Sequence, residues 1–290
     1  MQKIIEFYIR SIYNKDMLYA RCPVCREPLN DNVSRAVCKN GHSFDYAKEG
    51  YLYLLKPNDK NSKIPGDNKD MVSARKTFLD GGFYQPLADA LAQEINARRR
   101  QDITLIDAGI GTGFYSNAIA RSREYNDVFL GVDVSKFAVK IAAKRNPSFE
   151  CCVASVFDMP YGNLCADVVL SVFSPFAEKE FSRVLKDDGI LIVACPAENH
   201  LIELRRALYE NVRTVETPLK SDCFDVLCEK RLSFPFRLAD AEHISALLCM
   251  TPYVYRAPLS SVQKIKALTS LDLTADFKIY VLKKKFDNNV

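Results

Sequence analysis

The apolar positions of this chain change pattern part-way along it. From about residue 100 they fall into short dense runs, at 103–106, 128–132, 149–153, 167–172 and 190–195. Runs that are apolar on both faces predict buried parallel strands, because a strand with one wet face would alternate. Between the runs lie helical stretches, one starting at Ser116 and one capped by Ser135 and running to Arg145. Strands alternating with helices predict a doubly wound α/β sheet. Two later segments, 226–236 and 277–283, do alternate and are expected to complete the sheet as an antiparallel pair, with a helix at 239–250 between them. Upstream, 71–97 reads as a helix broken at Gly81-Gly82.

The segment before that helix is different: it is polar and has too few apolar residues for a core of its own. It carries Cys22-Pro23-Val24-Cys25 and, after a gap, Cys38-Lys39-Asn40-Gly41-His42. Two ligand pairs on tight turns supply the four soft or borderline donors that tetrahedral zinc takes. Asn40 and Gly41 suit the second turn, and Pro28, Asn30, Asp31 and Asn32 read as a hairpin turn between the pairs. Cys22, Cys25, Cys38 and His42 are therefore the expected ligands of a structural Zn2+, with no position left open for catalysis.

Length and charge narrow the function only a little. A chain of 290 residues suits about two domains. A net charge of +4 signals no polyanion partner by itself, although a local basic patch could still hold RNA. There is no apolar run of about 18 residues to cross a membrane. Ten irregularly spaced cysteines fit a reducing, cytoplasmic setting. Residues 1–16 lack a signal-peptide pattern, and Met17 is an alternative start.

The chemistry gathers at Leu105-Ile106-Asp107-Ala108-Gly109-Ile110-Gly111-Thr112-Gly113-Phe114-Tyr115, a strand, a glycine turn and the start of a helix. Glycines are needed where backbone turns tightly or lies bare against a ligand. Phe114 stands where the dinucleotide fingerprint needs its third glycine, so the pattern is D-x-G-x-G-x-G. That pattern resembles motif I of class I S-adenosylmethionine (SAM) methyltransferases, and a glycine turn of another α/β protein is the alternative. Asp133, ending the second strand 24 positions after Gly109, is placed to hold the ribose hydroxyls, or else is an ordinary acid near a helix start. Ala154-Ser155, after the third strand, is where such enzymes lay adenine. Ala154 stands where many relatives have an acid, so a side-chain bond to adenine there is in doubt. Ser174-Pro175-Phe176, beyond the fourth strand, faces the same crevice, with Phe173 or Phe176 available to stack on a base.

Taken together, the zinc finger, then "GHSFDYAKEGYLYLL", then "PGDNKDMVSARKTFLDGGFYQPL", then the glycine motif resemble RlmA-type 23S rRNA guanine-N1 methyltransferases from about Leu18 onward. The resemblance implies a seven-stranded, mostly parallel Rossmann-like sheet with a small zinc-binding domain. It also implies SAM as cofactor and a hairpin loop of 23S rRNA domain II as partner. It carries two further SAM contacts onto Tyr84 and His200, either of which could instead be a core residue. The expected organisation is an extension at 1–17, a zinc-finger RNA-recognition domain at 18–56, a linker at 57–76 and the methyltransferase domain at 77–290. The linker lysines and arginines could track phosphates or simply be solvated. A chain beginning near Met71 is expected to fold and bind SAM without the finger. No general base can be named; Glu178 and Glu180 lie near the fourth-strand exit but also suit a helix start. A small-molecule methyltransferase with a structural finger and a non-catalytic rRNA-binding assembly factor stay open, as does a homodimeric state.

Overall fold

The computed structural model describes residues 17–32, 34–56, 66–212, 219–255 and 257–285. The N-terminal extension, Lys60 and Lys63 fall outside them. The N-terminal module is a four-stranded sheet, β1 (Met17–Arg21), β2 (Pro28–Asn32), β3 (Arg35–Cys38) and β4 (Ser43–Asp45), in sequential antiparallel order. The expected hairpin turn at Pro28, Asn30, Asp31 and Asn32 is instead strand β2, paired with β3 from Leu29↔Cys38 to Asn32↔Arg35. The chain reverses beyond Asn32, where the Ser34 N–H reaches the Asn32 carbonyl. Polar residues were read as a turn because this strand buries little besides Leu29.

The large sheet has the order β11-β12-β10-β9-β6-β7-β8-β5. Its centre is β6 (Thr104–Ala108), β7 (Val128–Asp133), β8 (Glu150–Val153) and β9 (Ala166–Val172), all parallel. Every residue of β6 and β9 is buried, which is why their sequences do not alternate. β10 (Leu185–Pro196) is also parallel, whereas β12 (Leu271–Lys284) runs antiparallel between it and β11 (Phe224–Leu238). Residues 185–189 enter β10 with a register shift between Leu185 and Ile190. To the seven expected strands the structure adds an eighth, β5 (Leu52–Tyr53), paired parallel to β8.

Helices cover both faces. They are α1 (Lys69–Asp80), α2 (Gln85–Arg98), α3 (Phe114–Arg121), α4 (Lys136–Arg145), α5 (Glu178–Val184), α6 (Ile202–Leu208), α7 (Ala241–Met250) and α8 (Leu259–Lys266). The Asn68 side chain caps α1 through the Met71 N–H, so the expected linker already ends in helix at Lys69. Ser135 caps α4 and Asp240 caps α7 in the same way. Among the described residues no helix is long and apolar enough to cross a membrane.

The N-terminal module is part of this body. Ala20, Cys22, Leu29, Leu52 and Leu54 share one apolar cluster with Cys152, Met159 and Tyr161 in and beside the large sheet. Ala20 bridges Tyr161, and the Arg21 N–H reaches the Pro160 carbonyl at 2.7 Å. Arg26 and Lys56 both pair with Asp158. The expectation that the sheet folds without the module therefore meets a physical obstacle: removing it uncovers one edge of β8 and one side of that cluster.

Candidate cofactor cavity and metal centre

The ligand atoms of Cys22, Cys25, Cys38 and His42 lie within 4.8 Å of one another. The turn after β1 closes with the Arg26 N–H on the Cys22 carbonyl, and the turn after β3 with Gly41, at φ +82°, donating to Cys38. Nδ1 of His42 stands 3.3 Å from Cys38 Sγ, which makes it the imidazole nitrogen facing the site. The Cys25 thiol is lowered to about 6, chiefly by a backbone N–H at Glu27. Three sulfurs and one imidazole nitrogen, with a thiol already biased to thiolate, fit structural Zn2+.

A cavity of about 640 Å³ opens over the carboxyl ends of β6, β7 and β9. Gly109 and Gly111 form its floor, at φ +93° and +54°. A Cβ at Gly109 would collide with the Ser174 side chain, whereas one at Gly111 has no neighbour closer than 4.0 Å and would project into open space. Asp133 Oδ2 accepts the Gly111 N–H at 3.1 Å and Oδ1 accepts the Ser135 N–H at 2.8 Å, so the carboxylate is held at the cavity edge. Burial raises its pKa, and those two N–H groups oppose the rise. The hydroxyls of Thr112 and Tyr115 are buried on the cavity wall and have no partner among the described residues. Bare glycine backbone beside a fixed carboxylate and unsatisfied hydroxyls is a fit for a nucleoside such as SAM.

Two regions of the chain match known families. Residues 20–63 match the zinc ribbon described as RlmA, N-terminal, and residues 99–247 match a methyltransferase domain. The 23S rRNA (guanine(748)-N(1))-methyltransferase of Streptomyces fradiae is 38% identical over 195 residues, 66% of this chain and 68% of that one. A Bacillus subtilis (strain 168) protein whose name places it among 23S rRNA (guanine-N(1)-)-methyltransferases is 32% identical over 280 residues, 92% of this chain and 97% of its own. The chain belongs to the 23S rRNA guanine-N1-methyltransferase family. It is a SAM-dependent methyltransferase with an N-terminal zinc ribbon.

In this methyltransferase the cavity gathers Tyr84, Gly109, Gly111, Thr112, Phe114, Tyr115, Asp133, Ser155, Ser174 and His200 from separate segments of the chain. Asp107, Gly113 and Ala154 do not line it. Asp107 is buried beneath the loop and accepts Ser116 Oγ at 2.6 Å; burial raises its carboxyl to about 7. Gly113, at φ +72°, packs its α-carbon toward Ala142 and starts α3. His200 is fixed from both sides: the Asp276 N–H donates to Nδ1 at 3.3 Å, so Nε2 carries the proton and meets Tyr84 Oη at 3.1 Å. Burial lowers the His200 pKa to about 4, which keeps the ring neutral.

The two candidate bases point elsewhere. Glu178 binds Ser221 and the Asp222 N–H, and Glu180 binds Arg183 and the Met159 N–H. Phe176 packs on Phe181 and Phe224, whereas Phe173 lines the cavity in a left-handed conformation, φ +55°. The sequence reading missed Asp67, Arg75, Phe157, Pro252 and Tyr253 as cavity walls. The Pro-Gly-Asp-Asn signal before α1 pointed to a loop, and nothing local said that this loop returns over β7.

Proposed function

We propose that this methyltransferase transfers the methyl group of SAM to N1 of a guanine presented in a hairpin loop of 23S rRNA domain II. The observation that carries the reading is the junction of a zinc ribbon and a glycine-floored cavity in one continuous body. SAM, when bound, supplies a methyl group already activated on a sulfonium. Gly109, Gly111 and Asp133 hold the nucleoside, with Thr112, Tyr115, Ser155, Ser174, Tyr84 and His200 as further contacts. Asp107 and Gly113 keep the loop in shape beneath them. Phe173 offers a face on which a target base can lie, and stacking on an aromatic ring suits an unpaired loop base. Such an arrangement supplies in-line placement at roughly 3 Å and exclusion of water. As the N1–CH3 bond forms and the S–CH3 bond breaks, the guanine also gives up its N1 proton, which neither Glu178 nor Glu180 is placed to take. The ribbon, residues 18–56, would contribute shape contacts to the RNA.

The test is to incubate the protein with labelled SAM and unmodified 23S rRNA and map the product by mass. One methyl group at a single guanine, on the Watson–Crick edge, is expected. Label appearing only on small molecules would support a different transferase, and no transfer to rRNA under binding conditions would overturn the proposal. Gel filtration of the same sample with and without RNA distinguishes a monomer from a homodimer.

A further inference from the structure

Arg75 stands in α1, in a stretch the sequence suggested as linker, yet it lines the cofactor cavity. Its Nε and Nη2 both bind Asp67 Oδ2, at 3.0 and 2.6 Å, and Nη2 also reaches the Met250 carbonyl at 3.4 Å. Nη1 has no acceptor among the described residues. Asp67 thus holds one side of the guanidinium and leaves the other free, a geometry suited to a carboxylate.

Two tyrosine hydroxyls share the cavity wall with this group. Tyr115 Oη is buried without a partner among the described residues, and the side chain is only 9% exposed. Tyr84 Oη already accepts the His200 Nε2 proton, because Nδ1 of that ring is occupied by the Asp276 N–H. The Tyr84 O–H is therefore left as a donor at the cavity wall. The Arg75 charge acts on both tyrosines. A guanidinium corner and two O–H donors have no anion to meet within the described protein.

The charges of the wall point to the ligand. Its described charged residues are Asp67, Asp133 and Arg75, with His200 neutral. SAM carries a sulfonium, an ammonium and a single carboxylate, so two anions and one cation on the wall mirror it.

We propose that Arg75, with the hydroxyls of Tyr115 and Tyr84, is the receptor for the α-carboxylate of SAM, and that Asp67 is a positioning residue for Arg75. The proposal rests on the cofactor reading above.

The experiment compares SAM with decarboxylated SAM, which keeps the adenosine, sulfonium and amine and lacks only the carboxylate. Calorimetry on the native protein should find SAM bound more tightly by roughly tenfold to a hundredfold, the range of a charged hydrogen-bonded pair. Arg75→Gln should weaken SAM by about that factor, leave decarboxylated SAM unchanged and bring the ratio near one. Tyr115→Phe should reduce the ratio part of the way. Asp67→Asn should weaken SAM selectively too, with partial recovery at low ionic strength, since the guanidinium remains but loses its fixed orientation. Unchanged affinity for decarboxylated SAM also shows that each variant has kept its pocket. A native ratio near one, or equal loss of both ligands in a folded Arg75→Gln, overturns the receptor. If Arg75→Gln spares SAM and weakens only rRNA binding, the anion is a phosphate and the proposal falls. If Arg75→Gln does not fold, the native ratio and Tyr115→Phe decide. A native protein that binds neither ligand would instead overturn the cofactor reading itself.

Discussion

Glu150, in the third parallel strand of the catalytic sheet, accepts the backbone N–H of Ala20 at 2.8 Å through one carboxylate oxygen. The other oxygen takes the Tyr19 N–H at 3.2 Å. A catalytic-domain side chain thus satisfies the first strand of the zinc ribbon two residues before the first metal ligand. Ala20 and Cys22 are wholly buried against this same region. Metal, ribbon and sheet are consequently one mechanical unit.

That coupling extends the effect of removing the metal beyond the ribbon. Purified protein should contain one zinc per chain, and chelation should lower the melting temperature of the whole protein instead of unfolding a ribbon alone. Cys38→Ser should do likewise, and a chain beginning near Met71 should be aggregation-prone because the β8 edge is bare. Differential scanning calorimetry checks this: a catalytic transition unmoved by chelation would show that the shared cluster contributes nothing. Glu150→Ala, which leaves two N–H groups unsatisfied, should cost about 1–3 kcal/mol with zinc in place.

Asp133 holds the glycine loop through Gly111 and Ser135 and, on the function proposed above, would also hold the cofactor. Asp133→Ala removes the acceptor for Gly111 and Ser135 and should weaken SAM by about 1.5–3 kcal/mol. Gly111→Val places carbon in the open floor at a positive φ and should abolish binding. Titration calorimetry on both variants is the measurement, and unchanged affinity in the pair would move the site away from this loop.

The parallel centre of the sheet was legible because buried parallel strands write their burial as unbroken apolar runs, and β6, β7, β8 and β9 lie within a residue or two of those runs, whereas β10 begins earlier, at Leu185. The ribbon ligands were legible because three thiols and an imidazole, crowded into a polar segment with no core of its own, have little to bind except a metal. The eighth strand was not, since Leu52–Tyr53 is two residues long and its partner lies about a hundred positions away. Arg75 and Asp67 were hidden for a related reason: a cavity wall assembled from distant segments leaves no local period. Phe173 and Phe176 could not be told apart either, because the strand-exit backbone that turns one ring toward the cavity and the other against Phe181 and Phe224 is set by tertiary packing.

Asp107 gives a pH dependence with a definite sign. Its carboxyl rises from 3.8 to about 7, first because burial disfavours the charge, against the opposing Ser116 hydrogen bond. Between those values the folded state holds a proton that the unfolded chain releases. The contribution of this group to stability is therefore fully present below about 4 and is lost as pH rises toward 7. Asp107→Asn should flatten that part of the stability curve and leave the protein relatively more stable at pH 8, as urea titrations across pH would report. A native curve and a variant curve of the same shape would mean that Asp107 is ionised in the fold.

The two phenylalanines after β9 separate base recognition from packing. Phe173 is 38% exposed, faces Tyr84 and Tyr115 at ring distances of 6.4 and 6.2 Å, and lines the cavity. Phe176, three residues on, contacts Phe181 and Phe224 at 5.9 and 6.5 Å and is not part of the wall. The Phe173 ring also packs on buried Phe277 at 5.6 Å. If Phe173 carries the target base, Phe173→Ala should therefore cost rRNA binding out of proportion to its effect on SAM affinity and melting temperature. It should weaken productive rRNA binding by about 1–3 kcal/mol, the usual worth of stacking one base on an aromatic ring. Phe173→Tyr should recover most of that loss, because it keeps the ring face. Phe176→Ala should do the reverse: lower stability by up to about 3 kcal/mol through lost packing against the core, with turnover per folded molecule retained. Steady-state methylation of the rRNA fragment, paired with melting curves of each variant, separates the two outcomes. A Phe173→Ala protein that methylates rRNA at the native rate would place the target base against another part of the wall, and the exposed ring of Phe157, 62% accessible, would then be the next candidate.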